Sequence, residues 1–386
     1  MAFQLLQKDP GTQARLGRYE TAHGTIETPV FMPVGTQATV KAMRPDELKA
    51  MGASIILGNT YHLFLRPGHR LIEELGGLHR FMNWQGPILT DSGGYQVFSL
   101  AKMCKLSESG VVFQSHLDGS SHLLSPELAI EIQEALGSDI MMVLDECLPY
   151  PSTHETVAKS LGLTVDWARR CLEAKRRDDN SLFAIVQGGV FHDLRRECAE
   201  RLLELESKPS ADGRPRTFDG IAVGGLSVGE PMELAYDTVG DLAPRLPETR
   251  PRYLMGVGMP QDIVTCIGLG IDMFDCVVPT RSARHGLLFT PKGRLYIKRA
   301  EFLRDSRPID ENCPCYTCKN YSRAYLRHLS LSKEVLSAVL NTIHNLHYFL
   351  NLLTQARLAI RAGDYAGFQR RFFSEYQTGE TRVPQP

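Results

Sequence analysis

The sequence predicts an α/β fold, a (β/α)8 barrel of the TIM type, and three observations carry the prediction. Eight short, nearly continuous apolar runs recur between residues 30 and 280. Most are followed by a stretch with helical periodicity. The Gly-x-Gly-x-x-Gly fingerprint of an open dinucleotide-binding sheet is absent. Runs built almost wholly of Val, Ile, Leu and Met suit strands buried on both faces, as parallel strands are.

Taken in order, the runs are VFMPVG (30–35), SIILGNT (54–60), PILTDSGG (87–94), DIMMVLDE (139–146), LFAIVQGG (182–189), GIAVGGL (220–226), YLMGVG (253–258) and MFDCVVPT (273–280). After the fourth run, HETVAKSLGLTVDWARRCLEAKRR follows Ser152 and Thr153, which suit a helix N-cap, and it ends in basic residues that suit a C-terminus. FHDLRRECAERLLELE and MELAYDTVGDLAPRL follow the fifth and sixth runs. PQDIVTCIGLG opens on Pro260 and closes at Gly268 and Gly270, the expected asymmetry of helix ends. The alternation stops after Thr280. GLLFTPKGRLYIK reads as a hairpin about Pro291-Lys292-Gly293, and VLSAVLNTIHNLHYFLNLLTQARLAIRAG as one long helix.

This pattern divides the chain into a barrel (1–280), expected from the strand ends described below to be catalytic; a hairpin, a subdomain whose cysteines, described below, predict zinc binding, and a long helix packed on the barrel (281–358); and a C-terminal helix and tail (359–386). SKPSADGRPRTF (207–218) reads as a surface loop. A length of 386 residues accommodates one barrel with an insertion, and 43% hydrophobic with 23% charged residues describes an ordinary globular chain. The net charge of −1 excludes a global attraction for polyanions, so any affinity for nucleic acid must come from a local patch. MAFQLLQKDPGTQARLG lacks the apolar core of a signal peptide, and no apolar run approaches the roughly 18 residues of a membrane span. The expectation is a cytoplasmic protein with no membrane partner. Six of the nine cysteines are scattered, as reduced thiols are.

In such barrels chemistry collects where strands end. The ends here are unusually polar: Asn59, Asp91, Asp145 with Glu146, Gln187 and Asp275, several followed by paired glycines. A lone acid at a strand end often just caps the next helix; so many converging on one rim point to a site. Asp275 lies among Met273, Phe274, Cys276 and Val277, whereas Asp91 enters the polar turn Ser92-Gly93-Gly94-Tyr95. Two carboxylates in unlike settings are what glycosidic-bond chemistry asks for, one at the anomeric carbon and one moving protons at the leaving group.

Cys313, Cys315 and Cys318 form C-x-C-x-x-C, and His344 follows on the long helix. Three thiolates and an imidazole complete a closed tetrahedral zinc site, which is structural because no position is left for water. His347 shares a helix face with His344 and is a rival fourth ligand. Pro279 breaks the eighth run into a loop holding Arg281 and Arg284. From there to Arg307 eight basic residues stand against two acids. A solvated face is the usual meaning of such a run, but its place directly after Asp275 suits phosphate contacts that steer an RNA towards the acid.

DSGGYQVFSL, DECLPYPS, VQGG, GGLSVGEP, YLMGVG, GIDMFDCVVPTRSARHG and CPCYTCKNYSRAYLRHL with NTIHNL, in this order over nearly the whole chain, resemble the bacterial queuine tRNA-ribosyltransferases, or tRNA-guanine transglycosylases. The resemblance implies an irregular barrel with an inserted zinc subdomain, acting as a homodimer on tRNA with a GUN anticodon and exchanging the wobble guanine for preQ1. It implies that Asp275 is the nucleophile at C1′ and Asp91 the general acid/base, and that zinc is held by Cys313, Cys315, Cys318 and His344. Guanine offers N1–H and an amino group as donors and O6 as an acceptor. Asp145 can take the donors, Gln187 and the Gly225 N–H can serve O6, and Tyr95 and Met255 can sandwich the ring. The Leu226 carbonyl can accept from the aminomethyl group of preQ1. Cys147 and Val228 match the bacterial pattern, whereas the eukaryotic subunit tends to differ there. The archaeal relative carries an extra C-terminal RNA-binding domain; little sequence follows the long helix here, so the archaeal type is not the expectation.

Two rival readings fare worse. A zinc-dependent barrel hydrolase needs histidines at the strand ends, and these offer none. A non-catalytic RNA-binding subunit should lack a nucleophile, whereas Asp275 and Asp91 are both present.

Overall fold

Eight parallel strands close into a ring in the computed structural model, which describes residues 2–100, 104–207 and 216–376. They are Val30–Gly35, Ile56–Gly58, Ile88–Thr90, Ile140–Met142, Ser181–Val186, Gly220–Val223, Arg252–Leu254 and Met273–Cys276. Each pairs with its sequence neighbours, and the eighth returns to the first with Phe274 beside Phe31 and Asp275 beside Met32. Six lie within the expected runs, and the fifth and seventh begin one residue earlier, at Ser181 and Arg252. Their side chains fill both the barrel and its contact with the helices, so Leu89, Met141, Phe183, Ile185 and Phe274 are fully buried.

The irregularity is concentrated in the first half. The first strand is followed only by Pro45–Ala50, and the second by three short helices, Thr60–Leu65, His69–Glu74 and Gly77–Met82. Between the third and fourth strands an antiparallel sheet of Cys104–Ser107, Gly110–Gln114 and Ser121–Leu124 precedes the helix Pro126–Leu136, which Ser125 caps. The weak first crossover leaves the wall beside the first strand open. The long helix Val335–Arg361 fills it: Phe349 packs on Phe31 at 5.2 Å, and Arg357 donates to the Pro29 carbonyl at 2.7 Å.

A second antiparallel sheet, Phe3–Lys8, Arg15–Thr21 and Gly24–Thr28, covers the end where the barrel strands begin. Arg15 reaches Asp272, just before the eighth strand, through Nε (3.1 Å) and Nη2 (2.6 Å), with both side chains essentially inaccessible. Tyr19 bonds Ser181 at the start of the fifth strand, and His23 bonds Asp139 just before the fourth.

One expectation is corrected. The segment after the eighth strand is not a loop but the helix Val278–His285, with Pro279 in its first turn. There proline loses no hydrogen bond and its fixed φ suits the helix, so the residue read as a breaker is a starter. Beyond it, Leu287–Thr290 and Gly293–Tyr296 form the expected hairpin. Tyr316–Asn320, Arg323–Leu331 and the long helix follow, and then the helix Tyr365–Glu375. Of the surface loop at 207–218, residues 208–215 lie outside the described residues, as does the tail from 377. Among the described residues no helix is long and apolar enough to cross a membrane.

Candidate active site and metal centre

The C-terminal ends of the strands surround a cavity of about 390 Å³, within the range of small-molecule sites. Asp91, Asp145 and Asp275 all line it, as do Tyr95, Gly225, Leu226 and Met255. The barrel is what gathers them, since each stands at or just beyond the end of a different strand and closure turns sequence-distant ends into one rim.

Asp275 sits on the cavity floor, where burial raises its pKa. Two donors oppose that effect: the Tyr253 hydroxyl at 2.6 Å and the Gly256 N–H at 2.8 Å, both aimed at Oδ1. Tyr253 reads in the sequence as one more core residue of a buried strand, so this partner was missed.

Asp91 is not in the open polar setting expected of it. It is 8% exposed, because the end of the second strand folds over it. Asn59 donates to Oδ2, the Thr60 N–H donates to Oδ1 at 2.8 Å, and the Thr60 hydroxyl takes up its carbonyl. Burial pushes its pKa up to about 6, the Asn59 and Thr60 donors work against the rise, and the charge of Asp275 adds to it. Asp91 therefore senses the charge of Asp275 across the cavity.

Asp145 is also lifted to about 6, by burial first, with the Gln187 amide opposing. Gln187 Nε2 donates to Asp145 at 2.6 Å. Gln187 thus stands behind Asp145 rather than on the wall of the 390 Å³ cavity, although its Nε2 carries a second hydrogen. Tyr95, 55% exposed, and Met255 flank the opening. Cys147 and Val228 line the same space.

Arg281 and Arg284 lie on a neighbouring recess of about 290 Å³, which shares Val34, Thr36 and Val277 with the main cavity. Lys41 and His285 complete its basic lining and were not anticipated. Two members of the remaining basic run serve local pairs: Arg307 bonds Asp305, which also takes Arg323, and Arg299 meets Glu301.

Cys313, Cys315, Cys318 and His344 form a cluster that could hold a metal ion. The three sulfurs stand 3.9, 3.7 and 3.3 Å from His344 Nδ1, the spacing of ligands around one small cation. His344 Nε2 bonds the Phe289 carbonyl of the hairpin at 2.8 Å, which leaves Nδ1 free to face the sulfurs. His347 reaches only Cys313, at 3.6 Å.

A closed (β/α)8 barrel with buried acids from three strands around one mouth, and a thiolate-rich cluster beside it, defines a barrel enzyme with a carboxylate centre. Comparison with known proteins gives the particular kind. The family described as "Queuine tRNA-ribosyltransferase" matches residues 9–378. A queuine tRNA-ribosyltransferase of Caldanaerobacter subterraneus subsp. tengcongensis is 56% identical over 375 residues, covering 97% of each chain. One of Listeria welshimeri is 56% identical over 97% of this chain and 96% of its own, and one of Symbiobacterium thermophilum 52% identical over 98% and 92%. The chain belongs to the queuine tRNA-ribosyltransferase family and is a glycosyltransferase.

Proposed function

We propose that this enzyme acts in queuosine biosynthesis, exchanging guanine at the wobble position of tRNAs with a GUN anticodon for preQ1. The observation that carries the reading is that Asp275 and Asp91, from different strands, open on one cavity, where the charge of Asp275 helps to raise the pKa of Asp91. The Asp275 carboxylate attacks C1′ of the ribose, and the bond from C1′ to guanine N9 breaks. Guanine leaves with a proton from Asp91. Asp91 then takes the N9 proton of preQ1, whose N9 attacks C1′ and expels Asp275. A carboxyl near 6 is suited to give and accept a proton close to neutrality.

Asp145 accepts from N1–H and the amino group, with Gln187 holding it and offering its second hydrogen to O6 beside the Gly225 N–H. Tyr95 and Met255 cover the ring, and the Leu226 carbonyl takes the aminomethyl group. Arg281 and Arg284 hold phosphates beside the reacting sugar. Zinc is the ion that three thiolates and an imidazole suit, and in that closed set it ties the hairpin to the long helix. The division into barrel, zinc subdomain with long helix, and C-terminal helix follows this assignment, with the bounds at 280 and 358 moved to the ends of the helices Val278–His285 and Val335–Arg361 that they would cut. A cytoplasmic homodimer fits a tRNA-modifying enzyme. The exposed Tyr316 and Tyr325, with Tyr321 stacked on the latter at 5.5 Å, form an apolar face for the partner.

Incubation with tRNA and preQ1, followed by mass analysis of the anticodon nucleoside, tests the exchange. Asp275→Asn should abolish both exchange and any RNA–protein adduct that survives denaturation. An active variant refutes the nucleophile.

A further inference from the structure

The fifth and sixth strands end in the glycine pairs Gly188-Gly189 and Gly224-Gly225, and one side chain reaches both. Arg195, on the helix His192–Leu205, is 0% exposed. Its Nε donates to the Gly189 carbonyl at 2.8 Å. Nη1 donates to the Val186 and Gly224 carbonyls, each at 2.7 Å, and Nη2 lies 3.5 Å from the Gly225 carbonyl. The helix start is pressed onto the loop: a Cβ at Gly188, where φ is +146°, would meet the Arg195 N at 2.7 Å.

A buried cation is an expensive way to satisfy carbonyls, which neutral donors or water serve as well. Burial draws its pKa down to about 10, so the charge persists at neutral pH. The charge has one consequence that a neutral donor lacks. The Gly224 carbonyl belongs to the same peptide group as the Gly225 N–H, and a cationic donor on the oxygen strengthens the N–H as a donor. Gly225 and Cys147 line the same cavity, where a base oxygen is a stronger acceptor than the thiol.

We infer that Arg195 is a positioning residue for base selection: by clamping the Gly224 carbonyl it orients and polarises the Gly225 N–H towards the 6-oxo group of the base. The inference rests on the base-pocket reading given above. Its probe is the pair guanine and 6-thioguanine, which share N1–H and the amino group but differ in the acceptor at C6.

Arg195→Met should raise the apparent KM for guanine about tenfold, the loss expected of one charge-strengthened hydrogen bond. Competition by 6-thioguanine should change little, so the preference for guanine collapses. Arg195→Lys, which keeps the charge with fewer bonds, should fall between. Equal weakening of both bases in a folded variant, or an unchanged preference, overturns the inference. Should neither variant fold, the wild-type protein still decides. The guanidinium N–H resonances of Arg195 should move on saturation with guanine and much less with 6-thioguanine, and immobility overturns the inference. Amide exchange at Gly225 separates the two levels. If guanine does not slow it, the base pocket is misread. If guanine slows it and the preference survives in the variants, only the role of Arg195 fails.

Discussion

Tyr253 and Gly256 aim two donors at one oxygen of Asp275, so burial raises the pKa of the acid while both neighbours oppose the rise. Tyr253→Phe removes the donor that opposes the effect of burial, and the pKa of Asp275 should rise further. The acid limb of the pH–rate profile for adduct formation should move to higher pH, with the rate at pH 6 down roughly 10- to 100-fold. A limb that stays in place would refute the coupling. Asp145 gives a second test. A carboxyl lifted from 3.8 to about 6 binds more protons in the folded than in the unfolded chain between those values, so stability falls as pH rises through that window. Above it the ionised Asp145 costs about 3 kcal/mol. Asp145→Asn, which can still accept from Gln187, should therefore melt higher than wild type at pH 7 and lose that advantage near pH 4, while base exchange fails. Acids at strand ends could be read from the sequence because they interrupt apolar runs. Tyr253, Thr60 and Arg195 could not, because each looks like ordinary core or helix until the barrel closes.

The long helix Val335–Arg361 is the element on which the second half of the chain depends. Asn345 donates to the Pro279 and Leu287 carbonyls, each at 3.0 Å, and Asn341 to that of Ala283 at 3.2 Å, which fixes the helix bearing Arg281 and Arg284. The same helix supplies His344 to the thiolate cluster. His344→Ala should release the bound metal, read by elemental analysis, and lower the melting temperature, whereas His347→Ala should keep metal content near one per chain. The reverse result would transfer the ligand to His347. The cysteine spacing announced the cluster, but two histidines a turn apart left its fourth member open; they are separated by the three sulfurs that face His344 Nδ1 and by the bond from its Nε2 to Phe289. The helix Val278–His285 escaped the sequence reading because proline was taken as an end, when its effect depends on position within a helix.

Across the whole molecule, chemistry and anchorage occupy opposite ends of the barrel. The eight strands were readable because parallel strands are apolar on both faces. The two three-stranded antiparallel sheets were not, because the short strands Phe3–Lys8 and Cys104–Ser107 expose many of their residues and carry little hydrophobic signal. At the anchored end Arg15 neutralises Asp272 in a dry setting. Arg15→Met should cost about 3–5 kcal/mol by leaving that acid unpaired, lowering the thermal midpoint while base exchange at permissive temperature stays near wild type. A parallel loss of exchange would show that the two ends are not independent. The cluster is placed otherwise, since its helix also braces the arginines beside the mouth. Mild chelation should therefore act as a dial on substrate capture: the KM for tRNA would climb with each fraction of ion withdrawn, while the affinity for free guanine held, well before the protein melted.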